Sequence, residues 1–166
     1  MEAIEDFHRR GIVYIELRFS PHLLATKGNA PLEEPDAEEQ ITPEDVLQEV
    51  LKAHQIAKEK YPSITVRFLL CGIVAFPEWS QETAELCVKY GNQNTGDGLV
   101  VGIDLAGDPQ DPDYKTEMKL HKKAYDYAHD NNINITIHAG EAEGPKSCEQ
   151  VVQTVSRAVN TVLLRL

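Results

Sequence analysis

The run INITIHAGEAEG, Ile133–Gly144, sets an imidazole (His138) and a carboxylate (Glu141) three residues apart, where an alternating apolar pattern ends. That pairing suits metal-assisted chemistry. Neutral imidazole is a common zinc ligand, and a nearby carboxylate can carry protons to and from an activated water. A second polar terminus, GIDLAGD (102–108), places Asp104 and Asp108 among small residues that let a flat ligand approach the backbone. A lone histidine at a strand end also serves as an ordinary hydrogen-bonded polar group, and spacing alone leaves both readings open. No HExxH or HxH pair supports a metal, and the H-x-E/P-C-x-x-C deaminase signature is absent. GxGxxG, GxxxxGK[ST] and GxSxG are absent too, which removes the phosphate cradles and the serine nucleophile elbow.

Four apolar runs must position these groups: GIVYIELRFS (11–20), ITVRFLLCGI (64–73), LVVGIDLAG (99–107) and INITIHAG (133–140). Their β-branched and aromatic content, bounded by Gly, Pro or Ser, predicts buried strands. Helical patterns lie between them. Thr42-Pro43-Glu44-Asp45 reads as an N-cap, a proline at N1 and a carboxylate at N3, with Val46, Leu47, Val50, Leu51 and Ala57 on one face. Ser80 is expected to cap a second helix with Ala84, Cys87 and Val88 inward. Met118, His121, Tyr125 and Ala128 form the stripe of a third. Ser147 with Gln150 opens a fourth, carrying Val151, Val152, Val155 and Val159. A helix ends within Met1–Arg10, and the acidic, proline-broken segment 26–40 reads as a solvated surface loop. Strand–helix alternation predicts an α/β fold with parallel strands. The spacing fits a partial TIM (β/α)8 barrel of about four strands, forming one domain over 1–166. Strand carboxyl ends are where such folds gather ligands.

Composition narrows the partner. The 166 residues are 42% hydrophobic and 26% charged, with a net charge of −11 and a pI of about 4.9. That acidity disfavours nucleic acids and anionic membranes and suits a neutral or cationic small molecule. No run of 18 apolar residues marks a membrane span, and MEAIEDFHRRG is unlike a signal peptide, so a cytoplasmic location is expected. The scattered Cys71, Cys87 and Cys148 are expected to be packing thiols rather than disulfide or zinc ligands.

GIVYIELRFSPHLLA, VVGIDLAGD and TIHAGE, in this order, resemble the metal-dependent adenosine deaminases, with Met1 to Glu141 similar to the middle of that family's chain. The resemblance implies a (β/α)8 barrel that hydrolyses adenosine or deoxyadenosine to the inosine nucleoside with one Zn2+. It implies that His138 is a zinc ligand, that Glu141 is the acid protonating a purine ring nitrogen, and that Gly107 is a backbone donor to another purine nitrogen. Burial would have to raise the pKa of Glu141 for that role. Arg18, Ser20 and His22 are read as barrel support. The family's HxH pair, its His-Gly histidine and its Asp-Asp pair have no counterpart in this sequence, and Val74 stands where the family favours a basic residue. The 166 residues are therefore expected to be a partial domain lacking the first and last barrel strands. The alternative is an inactive fragment or truncated isoform that binds purines weakly or self-associates through open sheet edges.

Overall fold

The structure, a computed structural model, describes residues 2–26, 40–91, 98–108, 111 and 113–138. The expected helix from Ser147 lies outside them, as do Glu141, Cys148 and nearly all of the 26–40 segment. The element order is α1 (Glu2–Arg9), β1 (Tyr14–Phe19), α2 (Pro43–Lys60), β2 (Thr65–Ile73), a short 3-10 turn (Pro77–Trp79), α3 (Ser80–Gly91), β3 (Val100–Ala106), α4 (Tyr114–Leu120), α5 (Lys122–Asp130) and β4 (Asn134–Ile135). The strands pair in sequence order, β1-β2-β3-β4, and every pairing is parallel. This is the expected α/β architecture, a four-stranded part of a (β/α)8 barrel.

Alternation along the strands separates two faces. Val66, Phe68 and Leu70 of β2 and Val100, Ile103 and Leu105 of β3 enter the core, where they meet Leu47 and Ala57 of α2, Ala84, Leu86 and Cys87 of α3, and Ala124 and Ala128 of α5. Phe68 also packs edge-on to His54 of α2 and to Phe19 of β1. The residues between these project from the opposite face of the sheet, which is polar: Tyr14, Glu16 and Arg18 on β1, Arg67 and Cys71 on β2, Asp104 on β3. Glu16 faces Arg67 in register and accepts a hydrogen bond from the Tyr14 hydroxyl at 2.7 Å.

The start of α2 forms as its sequence requires. The Thr42 hydroxyl accepts from the Asp45 N–H at 3.1 Å, and the Asp45 carboxylate accepts from the Thr42 N–H at 2.8 Å, with Pro43 inside the first turn. The box satisfies two donors that a helix start leaves without partners. Next to it, Thr26 and Ile41 are clasped by reciprocal hydrogen bonds of 2.9 and 3.0 Å, which closes the base of the 26–40 segment.

Three expectations need correction. Ser80 is the first residue of α3 rather than its cap, and its hydroxyl lies 2.5 Å from His121 Nδ1. The stripe Met118–Ala128 is carried by two helices, because the chain breaks at His121, whose ring is used as a buried tie. Among the described residues of the expected 133–140 strand, regular pairing covers Asn134 and Ile135, and 139–140 lie outside the described residues. Strand-like contact continues beyond it: Thr136 N–H donates to the Ile103 carbonyl and His138 N–H to the Leu105 carbonyl, each at 2.9 Å. Asn132 makes the turn into β4 at φ 61°, a left-handed conformation that asparagine tolerates well.

Thr42→Ala removes one half of the capping box at an exposed helix start. It should lower stability by about 1 kcal/mol, read as a lower urea midpoint with an unchanged denaturant slope.

Candidate active site

The carboxyl ends of β1 to β4 converge on one buried anion. Asp104 lies between two core residues, Ile103 and Leu105, but its side chain leaves the other face of β3 and is fully buried. A carboxylate without solvent needs charge and hydrogen bonds. Arg18 Nε on β1 stands 2.9 Å from Asp104 Oδ2. The Thr136 hydroxyl donates to Oδ1 at 2.6 Å, and the Cys71 thiol donates to Oδ2 at 3.4 Å.

His138 joins this cluster, with Nδ1 2.8 Å from Asp104 Oδ2. The contact is off the line of a good N–H···O bond, so Nδ1 is buried without an aligned hydrogen bond. A carboxylate oxygen offers only lone pairs, so so short a separation places the proton on Nδ1. Nε2 then carries a free lone pair, on a ring that keeps 27% of its side-chain surface exposed. A carboxylate behind one imidazole nitrogen, with no partner given to the other nitrogen among the described residues, is the arrangement that orients histidine ligands in metal proteins.

Of the expected site residues, His138 and Gly107 therefore leave adjacent parallel strands at the same end. Gly107 is half-buried, one residue beyond β3. Glu141 lies outside the described residues. Asp104 is the central residue that sequence reasoning did not select. Its signal was a single acid inside an otherwise apolar strand, GIDLAG. Among the described residues, no group of three or more His, Cys, Asp or Glu is gathered to hold a metal ion, so His138 fits as one ligand of a site and not as a whole one.

Of the residues read as support, Arg18 and His22 make contacts of that kind. Arg18 neutralises Asp104. His22 Nε2–H donates to Glu82 at 3.0 Å, Thr83 Oγ1 lies 3.4 Å from Nδ1, and the ring stacks on Trp79 at 5.3 Å. Trp79 in turn stacks on Phe76 at 4.1 Å, which joins the loop after β1 to the loop after β2. Ser20 at the end of β1 has a buried hydroxyl with no hydrogen-bond partner among the described residues. Val74 is buried, and its backbone is engaged on both sides: its N–H donates to the Ala106 carbonyl at 2.8 Å, and its carbonyl accepts from His121 at 3.0 Å. Cys71 and Cys87 are buried free thiols, as expected of packing residues.

Burial pushes the Cys71 thiol up to about 12, with the charge of Asp104 adding to the shift. From an ordinary value of 9.0, that removes about a thousandfold of its thiolate near pH 8. Iodoacetamide should therefore label Cys71 far more slowly in the native than in the urea-unfolded chain, as resolved by peptide mass mapping. Burial lowers the pKa of His22 below 6.5, against the pull of Glu82. The folded state thus favours the neutral ring, while the unfolded chain protonates first as pH falls. Stability present above about pH 6.5 is lost as pH drops toward the folded-state pKa. Urea midpoints measured between about pH 7.5 and pH 5 should fall less steeply for His22→Gln than for the wild type.

Comparison with known proteins fits this geometry. The family described as adenosine deaminase matches residues 1–158. The adenosine deaminase of Mus musculus is 38% identical over 151 residues, covering 91% of this chain and 41% of that protein. The Gallus gallus adenosine deaminase is 40% identical over 144 residues, 87% of this chain and 37% of that one. The solved apo structure of the N6-methyl-AMP deaminase from Arabidopsis thaliana superposes with a TM-score of 0.63 at 28% identity, covering 92% of this chain and 41% of that one. The chain thus spans about two-fifths of the length of these curated relatives. A match running through β1 to β4 and the His138 strand end assigns the chain to the adenosine deaminase family.

Proposed function

We propose that this chain carries the purine-facing part of a zinc-dependent hydrolytic deaminase acting on adenosine or deoxyadenosine. The observation that carries the reading is His138, backed by the buried Asp104 carboxylate at 2.8 Å and with 27% of its side chain exposed. His138 Nε2 would be one zinc ligand, and a catalytic zinc ordinarily takes three protein ligands with one position open. Bound zinc supplies Lewis acidity and a more acidic water.

The chain's own groups would handle the purine. Gly107 N–H donates to one ring nitrogen and holds the base at the end of β3. Glu141, three residues beyond His138, gives its proton to a second ring nitrogen, so that the carbon bearing the amine becomes electrophilic as water adds. Loss of ammonia then leaves the inosine nucleoside. Asp104 stands behind His138 and orients its ring. The net charge of −11 suits an uncharged nucleoside better than a phosphorylated one. No described helix is long and apolar enough to cross a membrane, and a cytoplasmic location accords with this substrate.

A second reading is a non-enzymatic association module. It is favoured by β1 and β4, which each pair on one side only among the described residues, and by the exposed Val13, Tyr14, Ile135 and Ile137 beside those edges.

The deciding experiment follows loss of adenosine absorbance with the purified, zinc-supplemented chain, alongside metal content and light-scattering mass. Turnover that falls by about 10²–10⁴-fold in Glu141→Gln, with zinc lost on His138→Ala, is the expected result. No turnover, with less than one zinc per chain and a dimeric mass, would establish the second reading instead.

A further inference from the structure

We propose that Tyr125, on the helix side of the sheet, is a positioning residue for the site on the opposite side. It acts through the backbone of Asp104. This rests on the reading of Asp104 and His138 as the orienting pair of the proposed site.

The Tyr125 hydroxyl donates to the backbone carbonyl of Asp104 at 2.7 Å, in a buried environment. It reaches that oxygen by passing Gly72 on β2. A Cβ at Gly72 would lie 2.8 Å from the hydroxyl oxygen, inside any tolerable contact. The tyrosine thus depends on the one residue type that leaves this opening. One turn earlier on the same face, the fully buried His121 makes a second tie. The Val74 carbonyl can only accept, so His121 Nε2 carries the proton and donates to it at 3.0 Å. Nδ1 then accepts from the Ser80 hydroxyl at 2.5 Å.

Residues 121 and 125 therefore anchor the α4–α5 junction to the carboxyl ends of β2 and β3, behind the site. Their rings meet edge to face at 6.2 Å, so the two ties move together. The carbonyl that Tyr125 holds belongs to the residue whose carboxylate meets Arg18, Thr136 and His138 at 2.6–2.9 Å. At such distances a small rotation of the Asp104 peptide plane redirects its Cα–Cβ bond and changes what His138 Nδ1 faces. A tyrosine used only for packing would keep its effect with the ring alone.

Tyr125→Phe retains the ring and removes the tie. The test is long-range ¹H–¹⁵N NMR of the histidine ring nitrogens in the metal-free chain at fixed neutral pH, with His138 assigned by His138→Gln. The wild type should show a single Nδ1–H tautomer. Tyr125→Phe should shift both His138 nitrogens by several ppm toward the average of the two tautomers. Tyr61→Phe, a buried tyrosine at the end of α2, should not. Gly72→Ala crowds the hydroxyl without deleting it and should reproduce the shift, which covers the case in which the Phe variant folds poorly. His138 resonances in Tyr125→Phe that superimpose on the wild type would overturn the proposal. The readout uses no metal and no substrate, so such a result leaves the deaminase reading standing. Failure of zinc binding or turnover would equally leave the Tyr125 shift measurable.

Discussion

A carboxylate removed from water has to be neutralised, and at Asp104 that requirement organises the end of the sheet. The neutralising charge comes from Arg18 on β1, two strands away. Adjacent strands lie about 4.8 Å apart, so β1 and β3 are separated by nearly 10 Å. Only a long cation reaching toward a short acid closes that gap, and it must cross β2 on the way. The residue of β2 in register with Asp104 is Cys71, compact and able to lend a weak donor of its own. Long arm, small bridge and short acid are one steric solution spread over three strands. Because Arg18 keeps 41% of its side chain in solvent while Asp104 keeps 1%, the pair is lopsided. The cost of breaking it falls mainly on the buried acid, which would keep only the neutral Thr136 and Cys71 donors and the His138 contact among the described residues.

That solution also explains why one imidazole is oriented here. Thr136 and His138 leave β4 on the same side, two residues apart, and both meet Asp104. Thr136 takes Oδ1, so Oδ2 is shared by Arg18, Cys71 and His138. The same carboxylate that Arg18 holds in place thereby orients the His138 ring. The same charge works against Cys71, whose thiol is kept protonated by burial and by Asp104. The cysteine is thereby a hydrogen-bond donor and a spacer, and a poor nucleophile.

How much of this was legible in the sequence follows from the range of each interaction. The capping box at Thr42 and Asp45, the apolar faces of β2 and β3, and the strand order come from short-range patterns, and they form as the spacing predicts. The chemistry of His138 was visible because TIHAGE places an imidazole at a strand end. The role of Asp104 was not, because its partners come from positions 18, 71, 136 and 138, and only strand register brings these together. The break between α4 and α5 was hidden for a related reason. Met118, His121, Tyr125 and Ala128 keep helical spacing across it, while His121 serves contacts with Val74 and Ser80 that lie far off in sequence. Beyond the regular pairing of Asn134 and Ile135, Thr136 and His138 still donate to β3, and their side chains meet Asp104.

The polar face of the sheet sets a further constraint on how these strands work. Barrel interiors are usually filled by branched apolar side chains. Here Glu16 faces Arg67 in register and Arg18 reaches Asp104, so β1 to β3 carry two opposite-charge pairs on this face. Such a face cannot be closed by simple apolar packing, because each charge would then lose either water or its partner. Whatever covers it must leave these pairs intact, keep the exposed part of the His138 ring accessible and avoid competing with Arg18 for Asp104. A planar, uncharged, hydrogen-bonding molecule entering at the carboxyl ends satisfies all three conditions, since it brings no charge to the pair. The buried ion pair that holds the strand ends together thus also restricts the kind of ligand that can sit against them.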